Sequence, residues 1–204
     1  MPVLSRTERQ AETRRDLIDA AERRFTDQGF HATSIDAVAR EAGYTKGAVY
    51  SNFASKEDLF FAVYERRVDR RVEEMEAALR DAPTTLEAIQ RMIPGAGGRP
   101  EADDGWLAVF FEFWAHVLRH PELKERFARQ HRRVIEPLAK ASEELVSERA
   151  RRQPGETYKL ATARFAMQLG LQLERLTQPD VVDADLGRRM GLILMEGESD
   201  GLQS

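Results

Sequence analysis

Apolar residues recur along this chain at the spacing of an α-helix, and no segment shows the strict apolar–polar alternation of a β-strand. A first stripe covers residues 17–25 and ends before Gly29, and a second covers residues 35–42 and ends at Gly43. A third, shorter segment covers residues 45–52. The pattern predicts three short helices, with a tight turn between the second and the third.

The rest of the chain continues the helical pattern. A long fourth helix is predicted over residues 55–80 and a loop over residues 94–105. Further helices are predicted over residues 106–118, 122–152 (with a bend at Pro137), 156–176 and 183–195. We therefore predict an all-α fold, with a helix-turn-helix head over residues 1–54. A helical body over residues 55–204 follows, and its long first helix joins it to the head.

Composition and charge narrow the function classes. The 204 residues contain no Cys, which removes disulfides, thiolate zinc sites and cysteine nucleophiles. The N-terminus turns polar within five residues and no apolar run approaches the roughly 18 residues of a membrane span, so we expect a soluble cytoplasmic chain. The net charge is −4, and residues 1–56 carry nine basic against eight acidic side chains. Charge alone therefore makes no case for DNA binding.

The short turn before the third helix is typical of a helix-turn-helix, in which the second helix braces the third for entry into a major groove. With Val49 and Phe53 on the buried face, the outward face of the third helix carries mostly small side chains. These outward residues are Gly47, Ala48, Tyr50 and Ser51, with Tyr44 near the same side. Small side chains allow the helix to approach base edges closely.

Hydroxyl residues are placed to cap the helices of the head. Thr33, Thr45 and Ser55 are the predicted N-caps of the second, third and fourth helices. Helix N-termini bind phosphate readily, and Lys56 adds a full charge beside one of them. Each of these residues would also cap a helix in any all-α protein, so the set carries more weight than a single member.

The string TSIDAVAREAGY followed by TKGAVYSNFASKEDLF resembles the DNA-binding head of the TetR family of bacterial regulators. The usual residues of that family stand at matching places, namely Val38, Ala39, Gly43, Tyr50, Phe53 and Lys56. The resemblance covers about residues 14–64. Ser51 and Asn52 depart from the pattern, because the family more often has an aromatic residue and a His there. The resemblance therefore does not imply a particular operator sequence.

The resemblance implies a homodimeric regulator, expected to be a repressor, that binds an inverted-repeat operator in double-stranded DNA and responds to a small effector. It implies phosphate contacts from Thr33, Thr45, Tyr50, Asn52 and Lys56. It implies base-edge contacts from Tyr44, Lys46, Gly47, Ala48 and Ser51. As an alternative to a phosphate contact, Tyr50 would only shield the packed pair of helices from solvent.

Five of the 16 aromatic residues fall within residues 106–114. An ordinary core or an apolar ligand pocket would explain such a run, and the resemblance favours a pocket, since TetR-like proteins hold their effector in a helical cavity. The expected lining residues are Leu86, Ile89, Met92, Ile93, Trp106, Phe110, Phe113, Trp114, Val117 and Phe127. Glu112, inside the run, is expected to meet an Arg or solvent, or less often a cationic ligand.

Apolar residues occupy more than one face of the predicted helix over residues 160–176, so this helix needs cover on more than one side. It resembles the dimerisation helix of the family, and the final helix continues the pattern. The expected dimer contacts are Ala163, Ala166, Met167, Gly170, Leu173, Met190, Ile193 and Leu194.

The sequence gives only weak indications of metal binding, catalysis or cofactor binding. His116 and His120 have a spacing that can bind zinc, but no carboxylate cluster accompanies them, so we expect no metal. No catalytic constellation or cofactor motif is found, and we expect no enzyme activity. Two alternatives stay open: an all-α enzyme or binding protein in which the helix-turn-helix is only scaffold, and a DNA-bound regulator controlled by a protein partner.

Overall fold

The computed structural model describes residues 5–84, 87, 104–147, 156–183, 186 and 189–190, and these residues form helices, turns and short connections without a strand. The helices are α1 (Arg6–Gln28), α2 (Ile35–Glu41), α3 (Lys46–Tyr50), α4 (Lys56–Asp81), α5 (Asp104–Arg119), α6 (Pro121–Ser147) and α7 (Glu156–Thr177). The all-α prediction is confirmed.

Most helix bounds lie within a few residues of the predicted ones. The predicted loop over residues 94–105 is wrong at its end, because Asp104 already begins α5, and the rest of it lies outside the described residues. Pro137 lies inside α6, whose described part ends at Ser147. Most of the predicted helix over residues 183–195 also lies outside the described residues.

The chain folds as two compact units, each built from two separate stretches of sequence. The first contains Met1–Arg67 and Asp103–Phe127, and the second contains Val68–Ala102 and Ala128–Ser204. The first unit therefore includes α5 and the start of α6 beside α1, α2, α3 and the first part of α4; α1, with 23 residues, is longer than the short helix predicted. The division between the units falls inside α4, so this helix contributes to both.

The core of the first unit is a cluster of aromatic rings centred on Phe113 of α5, which has no exposed surface. Its ring stacks on Phe60 of α4 with 4.0 Å between centroids. It meets the rings of Phe30 and Phe61 edge-on, at 5.0 and 5.2 Å. Edge-to-face and offset pairs of this kind stabilise a core beyond the area they bury. Phe30 follows α1, so one side chain of α5 joins α1 and α4.

Ion pairs beside this core connect α6 to α4. Arg126 of α6 donates to Asp58 at 2.6 Å and to Glu65 at 3.1 Å, both on α4. Its guanidinium also lies 4.3 Å from the ring centroid of Phe61. Because the guanidinium is planar, it can stack on the ring while its edges bind the two carboxylates.

His116 lies at the edge of the aromatic core. Its ring stacks on that of His120 with 3.9 Å between centroids, and its Nε2 atom lies 3.4 Å from Oε1 of Glu57. Burial and then the neighbouring His120 lower the pKa of His116, while Glu57 acts in the opposite direction. Burial likewise lowers the pKa of His131 in the second unit.

Both shifts make stability depend on pH. A base whose pKa is lower in the folded state binds fewer protons when folded than when unfolded, so the free energy of unfolding falls as the pH drops below the unfolded value, about 6.5. We expect stability in urea to decrease from pH 7.5 to 5.5, and the double variant His116→Gln/His131→Gln to flatten that decrease. An equally steep pH profile in the double variant would contradict this assignment.

Candidate DNA interface

The segment that leads into α2 is held by side chains of the head itself. Ser34 is the N-cap of α2, and its Oγ accepts a hydrogen bond from the Ala37 amide at 3.2 Å. The prediction of Thr33 as this cap is wrong. Thr33 is 1% exposed, and its hydroxyl donates to backbone carbonyls of Gly29 (2.8 Å) and Arg24 (3.1 Å). In this conformation the hydroxyl is directed into the head and not toward a phosphate.

The turn between α2 and α3 is closed by Gly43, whose φ of +77° favours glycine. The Tyr44 amide donates to the Ala39 carbonyl across this turn at 2.9 Å. Thr45 then caps α3, as predicted, by accepting from the Ala48 amide at 3.2 Å. Val49 is fully buried, so the opposite face of α3 is turned outward. These contacts pack α3 against α2.

The outward face of α3 carries the small surface that the sequence predicts. Lys46, Gly47 and Ser51 are exposed, Ala48 is half-buried, and Tyr50 is 51% exposed. A Cβ atom at Gly47 would lie 3.7 Å from Oγ1 of Thr45, an ordinary contact. Because the fold has room for a side chain there, packing does not explain this glycine.

Two of the predicted base-contacting side chains are tethered by carboxylates. The Tyr44 hydroxyl donates to Oδ2 of Asp16 on α1 at 2.8 Å, which leaves its oxygen as an acceptor. Lys46 donates to Oδ2 of Asp36 on α2 at 2.9 Å, and this hydrogen bond raises the pKa of Lys46. Both tethers orient the side chain before any ligand arrives. Sequence reasoning missed Asp16 and Asp36, because only folding brings them beside α3.

Ser51 and Asn52 both donate to the Ala48 carbonyl, at 2.9 and 2.8 Å. Arg14 of α1 donates to the Asn52 carbonyl at 3.1 Å and lies 4.4 Å from the ring centroid of Phe53. In this conformation the side chains of Ser51 and Asn52 stabilise the C-terminal end of α3. Arg14 is a third residue that sequence reasoning missed, since its partners are nearly 40 positions away.

Lys56 is directed inward, onto the segment between α1 and α2. Its ammonium donates to the carbonyls of Thr33 (2.8 Å) and His31 (3.1 Å), and it lies 4.6 Å from the ring centroid of Phe30. Burial lowers the pKa of Lys56. A phosphate contact from Lys56 would require this ammonium to leave, or to share, those carbonyls.

The structure places the predicted pocket residues of α5 and α6 in the core of the first unit. Trp106, Phe110, Phe113, Val117 and Phe127 are buried there. Trp114 is half-buried, and its ring lies 5.4 Å from that of Phe110 and 5.2 Å from that of Phe127. The other expected lining residues, Leu86, Ile89, Met92 and Ile93, lie outside the described residues.

Glu112 does not pair with an Arg in the described residues; about 30% of its side chain is exposed to solvent, and the rest binds backbone. Its two carboxylate oxygens accept hydrogen bonds from the backbone amides of Phe30 (2.7 Å) and His31 (2.8 Å). The sequence pattern of α5 does not predict this contact, because backbone amides have no sequence signature.

An open groove of about 310 Å³ lies within the second unit, between α4 and α6. Its apolar lining comes from Val72, Leu79 and Pro137, and charged residues such as Glu76 and Arg133 flank it. Among the residues that the structure describes, no group of His, Asp and Glu has the geometry of a metal site. No helix in the described ranges is long and apolar enough to cross a membrane.

The predicted dimerisation residues of α7 form an exposed strip. Ala163, Ala166, Gly170 and Leu173 are exposed, and Met167 is half-buried. A Cβ atom at Gly170 would meet nothing within 4 Å. Met190 is half-buried, whereas Ile193 and Leu194 lie outside the described residues.

A glycine-closed turn, a capped and braced α3, and a small exposed face together define a helix-turn-helix protein. Comparison with known sequences agrees. The sequence model of the N-terminal region of bacterial regulatory proteins of the tetR family matches residues 17–63. The model described as the C-terminal region of BetI-type transcriptional repressors matches residues 85–194, more than half of the chain. The chain belongs to the TetR family of transcriptional regulators.

Characterised relatives are transcriptional regulators. The regulator AcrR of Shigella flexneri is 30% identical over 191 residues, which cover 94% of this chain and 76% of AcrR. The activator FasR of Mycolicibacterium smegmatis is 35% identical over 105 residues, 52% of this chain and 42% of FasR. The first match extends through both units.

Solved structures share the fold. A choline complex of a transcriptional regulator from Saccharomonospora viridis has a TM-score of 0.73 at 20% identity, covering 91% of this chain and 96% of that one. The stearoyl-CoA complex of FadR from Bacillus subtilis has a TM-score of 0.65 at 16% identity, covering 92% and 98%. Likeness at these identities establishes the fold alone.

Gly47 offers a test that separates folding from DNA binding. Ala is a better helix former than Gly, so Gly47→Ala should stabilise the protein by about 0.5–1 kcal/mol in urea unfolding. The added methyl should nevertheless weaken operator binding about tenfold, by holding α3 away from the bases. Ala115→Gly on the exposed side of α5 is the matched control, with the opposite stability change and unchanged operator affinity. Operator binding by Gly47→Ala as tight as that of the unmodified protein would contradict a base contact at this position.

Proposed function

We propose that this chain acts in the cytoplasm as a homodimeric repressor, which binds an inverted-repeat DNA operator and leaves it when a small apolar or aromatic effector binds. The single observation that carries the DNA interface is the exposed Gly47 on a braced, capped α3, at a position where the fold itself has no need of glycine. The scaffold alternative explains the bracing and the caps but not this glycine.

The outward residues of α3 are suited to different DNA contacts, some to base edges and others to phosphates. Gly47 and Ala48 present backbone and a methyl group, which suit base edges and the thymine methyl. Lys46, held by Asp36, has two further N–H donors for base or phosphate oxygens. Thr45 and the exposed Tyr50 lie at the ends of α3, where phosphate contacts are expected. Tyr44, whose hydroxyl donates to Asp16, would act as an acceptor toward base amino groups.

A dimer is proposed because one short α3 reads few base pairs, whereas two related copies read two half-sites about 34–36 Å apart or a multiple of that distance. The exposed strip of Ala163, Ala166, Gly170 and Leu173 on α7 supports self-association, since small residues allow two helices to approach closely. In the isolated chain this strip has open space beside Gly170.

An effector is proposed from the shared fold, because structural neighbours hold choline and stearoyl-CoA. These two ligands have different chemistry, so the fold does not select one. An effector that prefers another conformation of the second unit can act on the head through α4, which belongs to both units. Linkage then requires the effector to weaken operator binding and the operator to weaken effector binding by the same factor.

The test is selection of bound fragments from a random DNA pool by the purified protein, repeated at two salt concentrations. We expect an enriched inverted repeat, since a two-fold dimer imposes its symmetry on the site. Ala166→Glu, which places a charge on the exposed α7 strip, should sediment as a monomer and enrich nothing. Lys159→Glu, an exposed charge change on the same helix, is the matched control and should behave as the unmodified protein.

Enrichment of no sequence, by protein that was unfolded, stripped of ligand and refolded, would contradict the proposal. With an operator in hand, choline and stearoyl-CoA are the first effector probes. Both tryptophans of the chain, Trp106 and Trp114, lie in α5, so intrinsic fluorescence reports binding that alters this helix. Operator release by a protein extract but by no small molecule would favour control by a protein partner.

A further inference from the structure

The connection from α1 to α2 is bound by two groups of opposite charge, a carboxylate and an ammonium group. On one side the carboxylate of Glu112 accepts from the amides of Phe30 and His31, at 2.7 and 2.8 Å. On the other, the ammonium of Lys56 donates to the carbonyls of His31 and Thr33, at 3.1 and 2.8 Å. The peptide donors therefore meet the anion and the peptide acceptors meet the cation. Hydrogen bonds to ionised groups are about twice as strong as those between neutral groups.

Gly29 makes room for this arrangement. Its φ is +83°, in the region that favours glycine, and a Cβ atom there would lie 2.6 Å from Oε2 of Glu112. A contact that short cannot exist, so a side chain at this position would force the carboxylate of Glu112 to shift from its place on the two amides. Backbone conformation and space thus both favour glycine at this position.

This connection continues directly into α2, the helix that supports the DNA interface. Ser34, the N-cap of α2, is the next residue after Thr33, and α2 holds α3 through the turn at Gly43. The aromatic core does not depend on the carboxylate, because Phe30 is packed by Phe25, Phe60 and Phe113. Loss of the carboxylate would therefore release the Phe30 and His31 amides while leaving the core of the unit and the Lys56 contacts in place.

We propose that Glu112 is a positioning residue for operator binding: its carboxylate fixes the connection between α1 and α2, and so the orientation in which α2 presents α3 to the major groove. This proposal rests on the proposed DNA-binding function. Glu112 contacts no DNA in it. Its effect is transmitted through the backbone of residues 29–34 to α2.

Glu112→Gln tests the proposal with little change in size. A Gln side chain has one acceptor oxygen, so its NH₂ group would face one of the two amides. We expect faster hydrogen exchange at the Phe30 and His31 amides, and operator affinity lower by at least about tenfold. The slope of log affinity against log salt should stay unchanged, because no phosphate contact is lost. Glu73→Gln, an exposed change of the same kind on α4, is the matched control and should alter neither readout.

Gly29→Ala provides an independent route to the same state, since its methyl group displaces the carboxylate. We expect a loss of operator affinity at least as large, because Ala is also strained at a φ of +83°. A double variant with Glu112→Gln should lose little more than Gly29→Ala alone, because both changes remove the same contact. Fully additive losses would overturn the proposal.

Two further results would overturn it. One is an unchanged operator affinity in Glu112→Gln despite faster exchange at Phe30 and His31, which would leave the carboxylate a purely structural role. The other is a salt slope lowered by about one, which would mean that a phosphate contact was lost. In both cases the unmodified protein still binds its operator, so these failures are distinct from failure of the proposed function.

Discussion

The packing of Phe113 against Phe30, Phe60 and Phe61 is the contact on which the rest of the first unit depends. The segment Arg6–Tyr50, which contains α1, α2 and α3, is short enough that its own apolar surface is marginal for an independent domain. By inserting Phe113, α5 supplies the missing core and joins α1 to α4. The same helix turn places Glu112 beside the connection between α1 and α2. The helix-turn-helix is therefore built on a helix that comes some 50 residues later in the chain.

Charge is used locally in this protein and not as a general basic surface. The net charge is −4, and several cations of the first unit are committed to contacts within it: Lys46 to Asp36, Lys56 to backbone carbonyls, and Arg14 to Asn52 and the ring of Phe53. Such tethers fix geometry before DNA arrives, which reduces the entropy lost on binding. They also limit sequence-independent attraction to phosphates, which depends on freely available positive charge.

Local patterns were sufficient to predict much of this molecule. Helical spacing gave the helices, Gly43 marked the turn, and Thr45 was identified as a cap because a capping hydroxyl bonds an amide only three residues away. Long-range contacts could not be predicted in this way. The aromatic run of α5 has the composition of a pocket and of a core alike, and Thr33 and Ser34 are equivalent as caps until the fold buries one of them. The carboxylate of Glu112 binds backbone amides, which every sequence offers.

The dependence of the head on α5 is tested most directly by hydrogen–deuterium exchange on the unmodified protein and on Phe113→Ala. If α5 completes the core of the head, removal of this ring should lower the protection of amides in α1 and α2, such as those of Phe25 and Val38, together with that of amides in α5. Protection that falls in α5 alone, with α1 and α2 as slow to exchange as before, would show that the helix-turn-helix stands without α5 and would contradict the architecture described above.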